Sequence, residues 1–206
     1  MLKIWGRMSS INVKKVVWTA QELALDIQRT EAGGLFGVVK TPEYMTLNPN
    51  SLVPVIEDED YVLWESNVIV RYLAAKHSSG QMYPTDLRER FDAERWMDWQ
   101  QTTLNPASRP GFWQLVRTPP EQRDERAIAE SNAVVEALMA VLDAHLAQRS
   151  FMVGERFTVA DIPIACEIHR WFGLPQQRQS RPHLERWYDS LRARQASLGV
   201  LDLQLS

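Results

Sequence analysis

The chain has 206 residues, 45% of them hydrophobic, with eight Trp, one Cys and a formal net charge of −3 at pH 7, which suits one or two small domains with a substantial core. Its scattered Lys and Arg residues form no basic patch for nucleic acid, its single Cys excludes an internal disulfide framework, and no apolar run approaches the ~20 residues that span a bilayer. We therefore expect a cytoplasmic protein that binds neither nucleic acid nor a membrane, because a lone Cys fits a reducing compartment and the N-terminus lacks a signal-peptide layout.

The beginning of the chain alternates strand patterns with helix patterns. Residues 2–6 alternate apolar and polar side chains and predict a first strand. Apolar residues at helical spacing over 13–24 predict an amphipathic helix, with Asn12 as its N-cap. Residues 26–29 predict a second strand, parallel to the first because a helix connects the two. The Thr-Pro pair at 41–42 predicts the first turn of another short helix, with Thr41 as its cap and Pro42 at its first position.

The segment 47–72 carries the most informative pattern. Two strand-like runs, 53–56 and 61–64, flank an acidic turn and predict a β-hairpin. Pro54 cannot donate a ladder hydrogen bond, so the first strand must begin there or lie at an edge. An apolar helical pattern follows, with Ser66 as its N-cap, and a helix N-terminus with free N–H groups is a ready anion site. The order of elements becomes β-α-β-α-β-β-α, which is the thioredoxin-like pattern.

The rest of the chain has helical patterns only. We predict an α+β protein with a thioredoxin-like domain over 1–78, a linker over 79–84 and an all-helical bundle over 85–206. Two proline-containing pieces within 105–111 are expected to interrupt the first long helix, because proline lacks a backbone N–H. Thr and Asp at the two ends of 158–161 predict a capping box before an apolar helix.

Val53 and Pro54, followed by the hairpin and then by Glu65 and Ser66, resemble the glutathione-binding half of the glutathione transferases. The resemblance implies that Pro54 is cis and that the backbone of Val53 pairs with the cysteinyl unit of glutathione. It also implies that Glu65 and Ser66 hold the γ-glutamyl end. The capping box also resembles the C-terminal domain of the family, where its role is structural.

The thiol of glutathione must become a thiolate, because the thiolate is the nucleophile. Ser10 and Asn12 precede or begin the first helix, and they resemble the Ser-type motifs of the theta, delta and phi classes and the Nu class of bacteria. The resemblance makes Ser10 the first catalytic candidate and Asn12 the second, with Ser9 as the alternative to Ser10. Both serines could instead serve only as helix caps, and the absence of Cys here argues against the omega and beta classes.

The sequence departs from the family at Leu52, where a Lys or Gln often binds the glycyl carboxylate. Lys40 and Asn50 are the candidate replacements, although Lys40 could equally be a solvated loop charge. The second substrate of the family sits between its two domains.

Thr103, Arg109 and Trp113 are therefore candidate pocket residues, and Arg109 could meet an anionic substrate or pair with a surface acid. No cluster of His, Cys and Asp has metal-ligand spacing, so we expect no metal.

We predict an enzyme that adds the thiolate of glutathione to a small, apolar, electrophilic substrate. Two alternatives stay open: glutathione-dependent disulfide reduction, which the Ser10 and Asn12 pair suggests, and a binding or scaffold protein of the same fold without turnover. The resemblance also implies a two-fold homodimer, in which the first domain of one subunit meets the second domain of the other.

Overall fold

A computed structural model describes residues 1–206, which form two compact units, Met1–Tyr83 and Pro84–Ser206. The first unit contains a four-stranded sheet and three α-helices, and the second contains only helices. This architecture confirms the predicted α+β fold with a thioredoxin-like N-terminal domain. None of the helices is both long and apolar enough to cross a membrane.

The sheet of the first unit has the strand order β2-β1-β3-β4. Its strands are β1 (Leu2–Trp5), β2 (Ile27–Thr30), β3 (Val55–Asp58) and β4 (Tyr61–Trp64). β1 pairs in parallel with β2 and antiparallel with β3, and β3 pairs antiparallel with β4. The parallel pair follows from the helix between β1 and β2, because a crossover returns the chain to the same end of the sheet.

Three helices complete this unit: α1 (Ile11–Glu22), α2 (Pro42–Leu47) and α3 (Ser66–His77). Thr41 caps α2 as predicted, since its side chain accepts a hydrogen bond from the backbone N–H of Tyr44. α1 and α3 bury their apolar residues against the sheet and against each other. The fully buried residues of these two helices include Val13, Val16, Trp18, Ala20, Ile69, Val70 and Leu73.

Three local predictions for this unit are wrong by one or two residues. The N-cap of α1 is Ser10 rather than Asn12, and the N-cap of α3 is Glu65 rather than Ser66. Glu65 takes a positive φ of 73° where the chain turns from β4 into α3, so Ser66 already has helical backbone. The hairpin turn is also shorter than predicted, because β3 continues to Asp58.

The second unit consists of five α-helices: α4 (Leu87–Trp99), α5 (Asn105–Phe112), α6 (Glu125–Leu146), α7 (Asp161–Gly173) and α8 (Pro182–Arg192). Helix α7 lies in the core, since nearly all of its residues are buried. Its N-terminus shows half of the predicted capping box, because the Asp161 carboxylate accepts from the Thr158 backbone N–H at 2.8 Å.

The prolines between α4 and Phe112 do not interrupt the helix, so that prediction is wrong. The π-helical turn Gln100–Leu104 joins α4 to α5, and a second one, Trp113–Arg117, extends α5, so one continuous helical path results. In the first of them the N–H of Asn105 reaches the carbonyl of Gln100, five residues back. This wider turn comes immediately before Pro106, which has no N–H to donate. The change of hydrogen-bond register therefore accommodates the proline.

Candidate active site

Strand pairing gathers four segments of the first unit at one end of its sheet. Trp5 at the end of β1 pairs with Thr30 at the end of β2 and with Val55 at the start of β3. Val55 also pairs with Trp64 at the end of β4. The chain segments beyond these four residues therefore emerge side by side. They are 6–10, 31–34, 53–54 and 65–66.

The segment before α1 presents two hydroxyl groups. Ser10 has extended backbone, with φ −89° and ψ 121°, and its side chain makes no capping hydrogen bond. Its backbone carbonyl accepts the first helical hydrogen bond, from the N–H of Lys14 at 3.0 Å. Ser9 and Ser10 are both partly exposed. The Ser10 hydroxyl is thus held at the N-terminus of a 12-residue helix and is uncommitted within the chain.

Asn12 lies in the first turn of α1 instead of capping it. Its Oδ1 atom is shielded from solvent and has no hydrogen-bond partner within the chain. A buried polar atom without a partner costs free energy. The Oδ1 atom of Asn12 can therefore accept a hydrogen bond from a donor that the chain itself does not supply.

The Val53–Pro54 peptide bond is cis, as the family resemblance implies. Gly6 packs tightly between this peptide and the start of α1. A methyl group added to Gly6 would lie only 2.3 Å from Val13 Cγ2 and 3.3 Å from Val53 Cβ. The carbonyl of Leu52 accepts hydrogen bonds from Tyr44 Oη at 2.7 Å and Asn48 Nδ2 at 3.0 Å. The backbone that enters the cis peptide is therefore fixed from both sides.

Ser66 is the first residue of α3, with only 3% of its surface exposed. The N–H groups of a first helical turn have no partner within the helix, so this N-terminus favours an anion. The adjacent Asn67 accepts a hydrogen bond through Oδ1 from Lys15 Nζ at 3.2 Å, and Lys15 is fully buried. This bond ties the start of α3 to α1, and Glu65 beside it has an exposed side chain.

Arg7 is a member of this site that the sequence reasoning missed. Its guanidinium lies against Gly33 and Gly34 in the loop after β2. A methyl group added to Gly33 would be 2.7 Å from Arg7 Nη1, and a methyl group added to Gly34 would be 2.9 Å from Arg7 Nε. Both glycines have positive φ, 78° and 59°, which L side chains rarely adopt. The only signal in the sequence is a cation two residues before Ser9, and a glycine pair far along the chain.

Lys40 and Asn50, the two candidate replacements for the Lys or Gln that the family often has at position 52, differ in their surroundings. Lys40 is exposed beyond the glycine loop. Asn50 is also exposed, but its backbone N–H and its Nδ2 both donate to Asn48 Oδ1 at 3.0 Å. Leu52 itself has 63% of its surface exposed. Asn50 thus contributes to a turn, whereas Lys40 has an unengaged ammonium group.

The remaining candidates lie along the continuous helix of the second unit. Thr103 is in the first π-helical turn, Arg109 in α5 and Trp113 at the start of the second π-helical turn. All three are exposed, Trp113 by 54%. Arg109 and Trp113 are four residues apart and share one helix face.

Comparisons with known proteins agree with this geometry. The model for the glutathione S-transferase N-terminal domain matches residues 1–75, and the model for the C-terminal domain matches residues 104–195. The chain is 43% identical over 208 residues to glutathione S-transferase GstB of Escherichia coli, and the alignment covers 100% of both chains. The chain belongs to the glutathione S-transferase family.

Two other members of the family extend this result. The theta class glutathione S-transferase of Xanthomonas axonopodis pv. citri, solved with glutathione bound, is 43% identical with a TM-score of 0.96, covering 100% of this chain and 99% of that one. Glutathione S-transferase 3 of Zea mays is 32% identical over 95% of this chain and 90% of its own length. These relatives favour neither the disulfide reductase nor the scaffold alternative.

Proposed function

We propose that this glutathione S-transferase holds glutathione across the strand ends of its first unit, stabilises the sulfur as a thiolate and adds it to an electrophilic carbon of a small apolar compound. The observation that carries the proposal is the convergence of the Ser10 hydroxyl, the cis Val53–Pro54 peptide and the N-terminus of α3 at one end of the sheet. A relative with glutathione bound supports the choice of ligand.

The γ-glutamyl end belongs at the start of α3. Its carboxylate accepts from the Ser66 hydroxyl and the first N–H groups of the helix, and the exposed carboxylate of Glu65 receives its ammonium group. Charge-assisted hydrogen bonds of this kind are about twice as strong as neutral ones. Val53 lies outside the β3 ladder, which begins at Val55, so its backbone groups can pair with the cysteinyl unit as an added strand would.

The thiolate belongs beside Ser10. A free thiol has a pKa of about 8.5, and lowering that pKa by ~2 units requires ~2.7 kcal/mol in favour of the anion. One hydrogen bond to a charged acceptor contributes ~1.5–3 kcal/mol, and a helix N-terminus adds ~0.3–1 kcal/mol. Ser10 and the start of α1 together suffice, and the Nδ2 group of Asn12 is the proposed second donor to the sulfur.

The second substrate belongs next to Thr103, Arg109 and Trp113. The exposed Trp113 indole gives an apolar surface, and Arg109 on the same helix face attracts a substrate that carries negative charge. Holding two reactants side by side provides much of the catalysis, because it replaces an encounter in solution by a reaction at fixed distance. The reaction serves detoxification in the cytoplasm.

A second copy of the chain is the proposed protein partner. Four exposed apolar residues, here called the strip, lie on β4 and in the first turn of α3, namely Tyr61, Val62, Trp64 and Val68. Leu87 and Phe91, one turn apart on α4, expose 62% and 61% of their surfaces. The strip of one copy against the α4 pair of the other forms the proposed two-fold homodimer.

Calorimetry with glutathione and two parallel assays test the function. We expect binding of glutathione and turnover of a chlorodinitrobenzene-type electrophile that exceeds turnover of hydroxyethyl disulfide. Faster reduction of the disulfide would replace transfer by reduction as the main activity. Binding of glutathione without turnover of either compound would leave a binding protein only.

A further inference from the structure

We infer that Arg7 is the group that binds the glycyl carboxylate of glutathione, in place of the Lys or Gln that the family often has at position 52. The inference rests on the proposed function, since it assigns one more contact to the same ligand. Its evidence is the position of the Arg7 guanidinium, its lack of a partner and the chemistry of the tripeptide.

The position of Arg7 follows from the sheet. It comes two residues after Trp5, at the sheet end where the candidate site lies. A methyl group on Gly33 would meet both Arg7 Nη1, at 2.7 Å, and Val53 Cγ2, at 3.4 Å. The guanidinium and the side chain of Val53 therefore flank the same glycine. A ligand whose cysteinyl unit pairs with Val53 has its neighbouring residue within reach of Arg7.

The charge of Arg7 is not used within the chain. Several other cations of the first unit have acidic partners: Lys3 lies 3.7 Å from Glu57, and Lys76 lies 2.7 Å from Asp58. Arg29 likewise pairs with Glu31 at 2.6 Å. Arg7 has neither an ion pair nor a side-chain hydrogen bond, although it is half-buried against the glycine loop. A half-buried guanidinium without a partner is suited to a ligand anion.

The tripeptide needs a second cationic site. Glutathione carries two carboxylates, and the N-terminus of α3 serves only the one at its γ-glutamyl end. The glycyl carboxylate lies at the opposite end of the molecule, beyond the cysteinyl unit. Leu52 offers no donor there, whereas a guanidinium binds a carboxylate through two parallel hydrogen bonds. Lys40 is the rival cation, but it is exposed and stands beyond the glycine loop.

Calorimetry with two probes tests the assignment. Glutathione and its glycyl monoethyl ester differ only in this carboxylate, and we expect the parent protein to bind glutathione about tenfold more tightly than the ester. Arg7→Ala should abolish the preference by weakening glutathione alone. Arg7→Lys should keep part of it, because the charge stays and the paired geometry is lost. Lys3→Ala removes one cation elsewhere in the unit and should keep the full preference.

Several results would overturn the assignment. One is an equal loss of affinity for both probes in Arg7→Ala, and another is a preference that disappears in Lys40→Ala instead. A third is an Arg7→Ala variant that still prefers glutathione to the ester but raises the thiol pKa of bound glutathione. That result would show that Arg7 contacts the sulfur instead of the glycyl carboxylate. Thermal unfolding checks that Arg7→Ala is folded. If this variant does not fold, Arg7→Gln, which keeps more of the side chain, is used to compare the affinities for glutathione and for the ester.

The two proposals fail in different ways. A parent protein that binds neither probe would refute the proposed function and this assignment together. A parent protein that binds both probes equally would refute the assignment alone, because the carboxylate would then have no specific partner.

Discussion

Ser10 is the side chain on which the proposed chemistry depends most. Its hydroxyl is held just before α1 without a capping hydrogen bond, so it is available to the sulfur. We expect Ser10→Ala to raise the thiol pKa of bound glutathione by about 1–2 units, because one hydrogen bond to a charged acceptor is lost. Ultraviolet titration of the thiolate in the complex measures this pKa.

Ser9→Ala is the matched control for this experiment. It removes a hydroxyl from the same loop, and we expect the thiol pKa to stay at the parent value. The opposite pattern, a shift in Ser9→Ala and none in Ser10→Ala, would assign the activating role to Ser9.

Ser66 tests the other end of the ligand. Its side chain is almost fully buried at the first residue of α3, and in the proposal it donates to the γ-glutamyl carboxylate. We expect Ser66→Ala to weaken glutathione binding about tenfold, the value of one such hydrogen bond. Calorimetry measures the affinity, with Ser79→Ala, an exposed serine beyond α3, as the control. An unchanged affinity in Ser66→Ala would remove Ser66 from the site.

The family resemblance of the sequence was sufficient to nominate most of the candidate site, but not Arg7. Val53, Pro54, Glu65 and Ser66 stand at the ends of the two hairpin strands, so the pairing of β3 with β4 alone brings them together. Arg7 could not be found in this way. Its contact is with the loop after β2, and no periodicity or turn signal reports which side chain will lie on a given glycine.

Helix ends show the same limit at the scale of the element. The Thr41 cap could be predicted from the Thr-Pro pattern, since a cap of this kind is local and its side chain bonds to Tyr44, only three residues on. The caps of α1 and α3 were misplaced because they depend on how the chain leaves a strand. Glu65 takes its positive φ at the exit of β4, and that geometry is set by the sheet rather than by the capping preference of Ser66.

The continuous helix from α4 through α5 depends on partners distant in the sequence. The buried carboxylate of Glu167 on α7 accepts from Gln100 Nε2 at 2.9 Å and from Ser108 Oγ at 2.5 Å. Arg170 donates to the same carboxylate at 3.1 Å and stacks on the ring of Phe112. These contacts hold both sides of the first π-helical turn. The prolines at 106 and 110 alone therefore predict a break in the helix, whereas packing against α7 maintains it.

Asp161 is the polar centre of the second unit. Its fully buried carboxylate accepts from the backbone N–H groups of Met152 and Thr158 and from Trp187 Nε1, at 2.8–2.9 Å. We expect Asp161→Ala to lower the free energy of unfolding by about 3–5 kcal/mol, because three buried donors lose their acceptor. Urea unfolding monitored by tryptophan fluorescence measures the loss. Asp143→Ala is a milder control, since its half-buried carboxylate accepts from two backbone N–H groups, those of His183 and Leu184.

Asp161 also gives stability a pH dependence of known sign. Burial raises its pKa from 3.8 to about 6, although the N–H donors around it act in the opposite direction. The folded state then binds a proton more tightly than the unfolded state, so this group makes stability fall as pH rises from about 4 to about 6 and stay level above that. Asp161→Ala should lack this contribution. A parent-minus-variant difference in unfolding free energy that rises with pH in that window would contradict it.

At the scale of the whole chain, the order of elements could be predicted because each helix or strand has its own hydrophobic period. The β-α-β-α-β-β-α order fixes the parallel and antiparallel pairs of the first unit once the crossover is recognised. The exposed apolar residues were not predicted, since the same periodicity that marks a buried face also marks a face covered by another copy. Exposure in the folded chain separates the two cases.

The homodimer is the prediction that belongs to this scale. Val62 lies on the edge strand of the sheet and Phe91 on α4, and both are exposed in the single chain. We expect the parent protein to sediment at twice the chain mass of 23.8 kDa, and Val62→Glu and Phe91→Glu each to shift it to the monomer. A carboxylate buried in an apolar interface costs several kcal/mol, enough to dissociate a dimer at micromolar concentration. Leu35→Glu alters an apolar residue that is fully exposed outside the strip, so this variant should stay dimeric. A monomeric parent, or a dimer that both interface variants leave intact, would show that the strip and the α4 pair are not the contact.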